Sequence, residues 1–311
     1  MTPVVSVLMP VYNGAAFLDE ALDSVLGQTL SDLELIVVND GSTDQTATIL
    51  AARSDARLVV LSQDNAGMAA SLNRALGQAR GRYVARMDAD DRSLPTRLAR
   101  QVARLDSRPG IDILGSSYRR IDERGLPIDV VAALVPSSAV LRDLYLRSPF
   151  GHGTVMIRKE VLDRLGGYDG AWWPADDYDL WRRLLVSSRG ENLPEVLYEY
   201  RLHGDNSSVP AQDAMAERIR DELWARSGPP ALTTRGLVVE AVQHLRGTGD
   251  VRRILLSTYL SRQLAVVAEA VRRGRWDVVR RLRPAVPVAL SRGPRQAVRP
   301  ILRKISPKRC R

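Results

Sequence analysis

The sequence predicts an α/β protein: a mostly parallel sheet with helices on both faces, followed by a C-terminal helical, basic extension. Three observations carry that prediction. Short, β-branched apolar runs alternate with segments of helical periodicity over the first ninety residues. Turn-forming and acidic residues stand directly after these runs, where open α/β sheets bind their ligands. The net charge of +9 is concentrated at one end of the 311-residue chain.

The elements follow in order. Val4–Met9 is a buried strand ended by Pro10, and Asn13-Gly14 turns the chain. Phe17, Ala21, Leu22, Val25 and Leu26 then recur at helical spacing, with Asp19, Glu20 and Asp23 on the other face. Leu35–Val38 is the next strand, and Ser42 or Thr43 is expected to cap a helix running to about Ser54. Strand Leu58–Leu61, helix Ala69–Arg80 and strand Tyr83–Met87 complete the alternation. Thr96–Leu105 predicts a helix, Ile111–Leu114 and Thr154–Ile157 predict strands, and a helix begins or continues at Asp179–Leu185. Gly204 to Ser208 reads as loop, and the pattern is helical from Ala214, interrupted at Ser227-Gly228-Pro229-Pro230. Leu255, Leu256, Tyr259, Leu260, Leu264, Val267 and Val271 form one apolar helical face, and the prolines from Pro284 onward exclude a long helix. The expected organisation is a domain over 1–210, a helical extension over 211–283 and a basic, Pro/Arg-rich tail over 284–311.

Ala270–Arg311 holds 14 of the 45 basic residues and one acid, Asp277, so the remainder is slightly acidic, at −4. The tail can lie on an anionic membrane surface or be a solvated extension. No aromatic stacking platform or nucleic-acid motif accompanies it, which argues against nucleic acid. Cys310 is the single cysteine, so an internal disulfide and a Cys-based zinc site are excluded. The uncharged stretch Met1–Leu18 lacks the basic start of a signal peptide and is broken by Pro10, Asn13 and Gly14. No segment reaches membrane-span length, and the expected location is cytoplasmic, with the tail placing the protein peripherally at the inner face of the membrane.

Asp88-Ala89-Asp90 at a strand exit puts two carboxylates together. They repel unless a cation is shared, and hard oxygen ligands suit Mg²⁺ or Mn²⁺. The other reading is that Asp90-Asp91 simply caps the next helix; the two combine if Asp91 does the capping while Asp88 and Asp90 face the ligand. Asn39-Asp40-Gly41-Ser42 is either a turn with a helix cap or a site where Asp40 accepts a hydrogen bond from a base or ribose.

VSVLMPVYNGAAFLDEALDSVLGQT, LELIVVNDGSTDQT and ARGRYVARMDADD, in that order, resemble the nucleotide-binding half of family 2 glycosyltransferases of the GT-A fold. The resemblance continues through Phe150–Lys159, Gly166-Gly167-Tyr168-Asp169 and Ala175–Trp181, and ends near Tyr200-Arg201-Leu202-His203, about two-thirds of the chain. It implies an inverting enzyme of the hexosyltransferase type that moves a sugar from a nucleoside-diphosphate sugar to a glycan or lipid-linked acceptor in cell-surface polysaccharide or glycoconjugate synthesis. On the matching positions, Pro10, Tyr12 and Asp40 would contact base and ribose, Asp88 and Asp90 would place the metal on the diphosphate, and Asp177 would be the catalytic base. Asn39 and Asp176 depart from the family pattern, where aspartate and glutamate are common; Asp176 would face the acceptor.

The chemistry supports this set independently. Charge building on a leaving diphosphate needs a cation, and an acceptor hydroxyl needs a carboxylate to take its proton. Asp176, Asp177 and Asp179 can equally be a solvated acidic helix start. His203, followed by Asn206, Ser207 and Ser208, matches a segment of the resembled family that can close over the diphosphate, and His152, in a Gly-rich turn, can touch the acceptor or the diphosphate; either can instead be a buried hydrogen-bonding histidine. Trp172 and Trp173 can stack on an acceptor sugar or pack in the core. Arg74 can offset phosphate charge or lie on the surface. A Rossmann dehydrogenase is rejected because Val11-Tyr12-Asn13-Gly14-Ala15-Ala16 lacks Gly-x-Gly-x-x-Gly. A nucleotidyltransferase is rejected for want of a Gly-rich, basic first loop. A non-catalytic nucleotide-sugar-binding or scaffold protein of a polysaccharide assembly complex is the alternative reading.

Overall fold

The computed structural model describes residues 2–133, 137–204 and 209–226, together with 265–266, 269–270 and 272–275. The chain runs β1 (Val5–Val11), α1 (Leu18–Leu26), β2 (Leu33–Asp40), α2 (Thr46–Ala51), β3 (Leu58–Gln63), α3 (Met68–Gln78), β4 (Tyr83–Arg86), β5 (Arg92–Ser93), α4 (Arg97–Ser107), β6 (Ile113–Ile121) and β7 (Pro127–Val131). It continues through α5 (Ser137–Asp143), β8 (Met156–Arg158), α6 (Lys159–Leu165), α7 (Asp176–Leu184), β9 (Gly190–Arg201) and α8 (Val209–Arg226). One-turn 3₁₀ helices at His152–Thr154 and Gly170–Trp172 precede β8 and α7.

The strands form one sheet in the order β3-β2-β1-β4-β8-β6-β9-β5, with β7 beside β6. The half built from the alternating N-terminal segments is parallel throughout, β3 to β2 to β1 to β4. Beyond it the sheet is mixed: β8 is antiparallel to both β4 and β6, β9 is parallel to β6, and β5 is antiparallel to β9.

Every residue of β1 and β2 is buried, as expected of central strands covered on both faces. Period-two alternation divides them between two cores. Leu8, Ile36 and Val38 meet Leu72, Ala75, Leu162, Leu180 and Trp181 on one face. Val7, Met9, Leu35 and Val37 meet Leu18, Leu22, Val25, Leu98 and Leu105 on the other. Burying each of these large aliphatic side chains contributes about 1.5–3 kcal/mol. β3, at the sheet edge, is only partly covered.

Four expectations change. The helix expected to run from a Ser42 or Thr43 cap to Ser54 is Thr46–Ala51, and the side chain that serves its first turn is Asp44, whose Oδ1 accepts the Thr46 amide at 2.9 Å. Asp91 caps nothing: α4 starts six residues later, and Asp91 is buried beneath β9. The irregular-looking middle contains the twelve-residue β9 and the short β5 and β7. The boundary expected at residue 210 falls inside α8, whose Ile219, Leu223 and Trp224 join the first core; the Trp224 indole donates to the Tyr145 carbonyl at 2.9 Å. Gly204 is in a turn, and residues 205–208 lie outside the described residues, as do Ser227 to Pro230, all seven residues of the apolar face from Leu255 to Val271, and the tail over 284–311.

Candidate active site

A cavity of about 700 Å³ opens at the carboxyl ends of β1 and β4 and extends toward α7 and the end of β9. Its rim is fixed by the first two strand-to-helix turns, which are tied together. Asn13 adopts a left-handed φ of 50°, a conformation asparagine tolerates better than most residues. Its Oδ1 accepts the Thr43 amide at 2.8 Å, and its own amide donates to Ser42 Oγ at 3.0 Å. Gly14 and Ala15 donate to Thr46 Oγ1 and Asp44 Oδ2, each at 3.0 Å. Gly41, at φ +73°, lies where any Cβ would press on the Asn65 backbone. Pro10 and the exposed Tyr12 line the cavity on this side.

Behind them, carboxylate oxygens of Asp88, Asp90 and Asp91 lie within 4.8 Å of one another. β9 holds this acidic turn in place. The Asp88 amide donates to the Tyr198 hydroxyl at 3.2 Å, the Arg201 amide donates to Asp91 Oδ1 at 2.7 Å, and Arg201 Nε donates to the Asp90 carbonyl at 2.8 Å. His203 Nε2 lies 2.9 Å from Asp90 Oδ2, with its ring packed on Phe17. Gly153 allows Tyr198 this approach, since a Cβ there would overlap the hydroxyl. Burial, then the adjacent Asp90 carboxylate, push Asp91 up to about 7, against lowering hydrogen bonds from the Arg201 amide and the Tyr198 hydroxyl. Three carboxylates with a buried Asp91 Oδ2 that makes no hydrogen bond among the described residues fit a hard divalent cation. Asp88 Oδ2 is also ion-paired with Arg86.

The first turn of α7 contributes to the lining of the same cavity. Its acids, similar in sequence, serve differently. Asp179 is buried and held by Arg182 and Arg183, with the Arg183 Nε at 2.7 Å. Asp177 lines the cavity, with Oδ1 accepting the Tyr178 amide at 2.6 Å. Burial, then the charge of Asp176, push Asp177 up to about 7, opposed by the Tyr178 amide, Arg86 and a hydrogen bond from Ser148. Asp176 also lines the cavity; it is buried, its Oδ2 has no hydrogen bond among the described residues, and burial raises its carboxyl.

The remaining expected residues divide. His152 lines the cavity and hydrogen-bonds the Tyr168 hydroxyl at 3.0 Å; burial, then Arg86, hold it well below the usual histidine range, so its ring is neutral. Trp173 is 46% exposed on the cavity wall, whereas Trp172 is buried between the guanidinium groups of Arg182 and Arg218, 4.9 and 4.5 Å from its ring. Asp40 does not reach the cavity lining. Its carboxylate accepts from Gln63 Nε2 at 2.6 Å and from the Ala66 and Gly67 amides at 2.8 and 2.9 Å, pinning the turn into α3. Arg74 points away to Gln63, at 3.0 Å.

Sequence reasoning missed Arg86, Tyr198 and Arg201. The available signal was a charge inside a buried run: Arg86 ends an apolar strand, and Arg201 is as buried as any core leucine.

Comparison with known proteins is consistent with this geometry. The sequence profile described as Glycosyl transferase family 2 matches residues 6–166. The chain is 32% identical over 215 residues to the Escherichia coli O-antigen biosynthesis glycosyltransferase WbnJ, covering 67% of this chain and 83% of that one. Among solved structures, it is similar to Staphylococcus aureus TarS 1-349 in complex with UDP-GlcNAc, with a TM-score of 0.56 and 20% identity over 86% of this chain and 80% of that one. It is also similar to the mannosyltransferase PcManGT from Pyrobaculum calidifontis in complex with GDP-Man and Mn²⁺, with a TM-score of 0.52 and 21% identity over 98% and 80% of the two chains. The strand order, the acidic turn and the matched motifs therefore have one common account: the chain belongs to the family 2 glycosyltransferases and has the GT-A fold.

Proposed function

We propose that the protein transfers a sugar, with inversion, from a nucleoside-diphosphate sugar to an acceptor hydroxyl in cell-surface polysaccharide or glycoconjugate synthesis. The observation that carries this reading is that Asp88 and Asp90, from the acidic turn, and Asp177, from α7, line one and the same cavity. That is the minimum set for direct displacement: a cation site for the leaving group and a separate base for the nucleophile.

Pro10 and Tyr12 form the wall for base and ribose, with Asp40 acting from behind by fixing the turn into α3. Asp88 and Asp90 would hold Mg²⁺ or Mn²⁺, which, when bound, neutralises charge on the departing diphosphate. His203, already paired with Asp90, stands where it can close over that diphosphate. Asp177 takes the acceptor proton at a carboxylate oxygen. A carboxyl raised to about 7 is a stronger base than an ordinary aspartate and is still half ionised at neutral pH. In the proposed reaction the acceptor, deprotonated by Asp177, attacks in line with the departing diphosphate, and the anomeric centre inverts. Asp176, His152 and Trp173 shape the acceptor side, and Trp172 supports it from the core.

The relatives named above support a nucleotide-sugar donor and a surface glycan product; the full acceptor reading includes lipid-linked glycans reached from the membrane's inner face by the basic tail. Among the described residues no helix is long and apolar enough to cross a membrane. The test is a donor-panel transfer and hydrolysis assay with Mn²⁺, Mg²⁺ and EDTA, on wild type and Asp177→Asn. The expected result is metal-dependent turnover of one donor, with transfer lost and donor affinity kept in the variant. Activity that ignores EDTA on every donor defeats the metal assignment, and unchanged transfer by the variant defeats the base.

A further inference from the structure

We infer that Arg86 recognises the transferred sugar ring of the donor. This assignment rests on the proposed glycosyl transfer and extends it to a residue that the motif reading left out.

Arg86 is the last residue of β4, 4% exposed, and lines the cavity. Two comparably buried arginines, Arg97 and Arg201, spend donors on the protein itself. Arg97 bonds Gln101 Oε1 and the Arg86 and Val155 carbonyls, and Arg201 bonds the Asp90, Asp122 and Glu123 carbonyls. Arg86 has an ion pair with Asp88 and a 3.7 Å contact from Nη2 to the Met68 sulfur, while its Nε makes no hydrogen bond among the described residues. A buried donor left without an acceptor is costly, and an open cavity is the place from which an acceptor can arrive.

Its location says what that acceptor is. Arg86 is ion-paired with Asp88 of the acidic turn and lines the same cavity as Asp176, Asp177 and His152. It therefore stands beside the proposed leaving-group site, in the cavity that also holds the proposed base. In a direct displacement the ring being transferred must occupy that cavity between leaving group and base, because its anomeric carbon is bonded to the diphosphate on one side and attacked from the other. A guanidinium has donors only, so it meets hydroxyl or amide carbonyl oxygens of the ring. Asp88, Asp90, Asp91, Asp176 and Asp177 already outnumber the cations here, so a neutral sugar fits and an acidic one is repelled.

The test compares wild type, Arg86→Lys and Arg86→Met by titration calorimetry with Mn²⁺. The probes are the nucleotide-sugar that wild type hydrolyses fastest in the donor panel and its own nucleoside diphosphate. Loss of a charge-assisted hydrogen bond in Arg86→Met should weaken nucleotide-sugar binding roughly 10- to 100-fold, with the nucleoside diphosphate within about twofold and Arg86→Lys intermediate. Unchanged nucleoside diphosphate binding also reports that the variant is folded. Equal losses for both probes make Arg86 a phosphate ligand and overturn the assignment, as does no loss for either. A wild type that neither binds nor hydrolyses any donor defeats the glycosyl-transfer reading itself, and this assignment falls with it.

Discussion

Replacing Asp177 by Asn should stabilise the protein while abolishing its proposed chemistry, and the stabilisation should depend on pH in a defined sense. The carboxyl is pushed from 3.8 up to about 7, first by burial and then by Asp176. The folded protein therefore keeps this proton across a window in which the unfolded chain releases it. Stability is lost as pH rises from about 4 to about 7, and the loss is complete above 7. A shift of that size corresponds to about 4 kcal/mol, which solvent in the open cavity reduces to about 1–3 kcal/mol. Asparagine keeps the acceptor for the Tyr178 amide, bonded at 2.6 Å, and carries no charge. In EDTA, its melting temperature should exceed that of wild type by roughly 3–10 °C at pH 8. The gain should shrink steadily toward pH 5. Transfer should fall about 10²- to 10⁴-fold. Paired melts at four pH values with initial rates measure all of this. A variant less stable than wild type at pH 8, or a gain that does not change with pH, refutes the buried-carboxylate argument.

The neighbouring tryptophans separate packing from recognition: Trp172→Ala should cost about 3–5 kcal/mol of stability, whereas Trp173→Ala should stay within about 0.5 kcal/mol and raise the acceptor KM, read from melts and acceptor titrations. Gly153→Ala drives a methyl into the Tyr198 hydroxyl and should weaken Mn²⁺ binding several-fold at a stability cost of about 1–3 kcal/mol; unchanged Mn²⁺ affinity would show that Tyr198 does not set the acidic turn. Arg201→Met leaves Glu20 and the Asp90, Asp122 and Glu123 carbonyls without their buried partner and should cost about 3–5 kcal/mol in denaturant melts, beyond the effect of Arg74→Ala on the surface.

The parallel half of the sheet was legible because strands covered on both faces are written as continuous apolar runs, with β1 and β2 the plainest. Motif order singled out Asp88, Asp90 and Asp177, which the structure brings to the lining of one cavity. β9 was not, because Glu191, Pro194, Glu195 and Glu199 interrupt its apolar pattern; those acids are partly met by distant arginines, Arg104 with Glu191 and Arg119 with Glu199. The acids of α7 were inseparable locally. Residues two apart on a helix lie about 200° apart, so Asp177 and Asp179 face different surroundings, but which one meets the cavity depends on the packing of α7. Trp172 and Trp173 pose the same problem within a single turn. Asp91 was assigned to the following helix because local sequence cannot announce that Arg201, 110 residues away, takes its carboxylate.

The clamp of β9 on the acidic turn has a consequence for how this protein can be made and divided. Three fastenings, Asp88 to Tyr198, Asp91 to Arg201 and Asp90 to His203, each join segments 110 to 113 residues apart. During synthesis the acidic turn leaves the ribosome long before its fasteners, so the nascent N-terminal half carries its cluster of carboxylates unsupported. A fragment ending at residue 166, where the family profile stops, would contain the motif and lack the parts that hold it. Chimaeras between relatives should therefore exchange the acidic turn and β9 as one inheritance unit, even though a hundred residues of α-helix and strand lie between them.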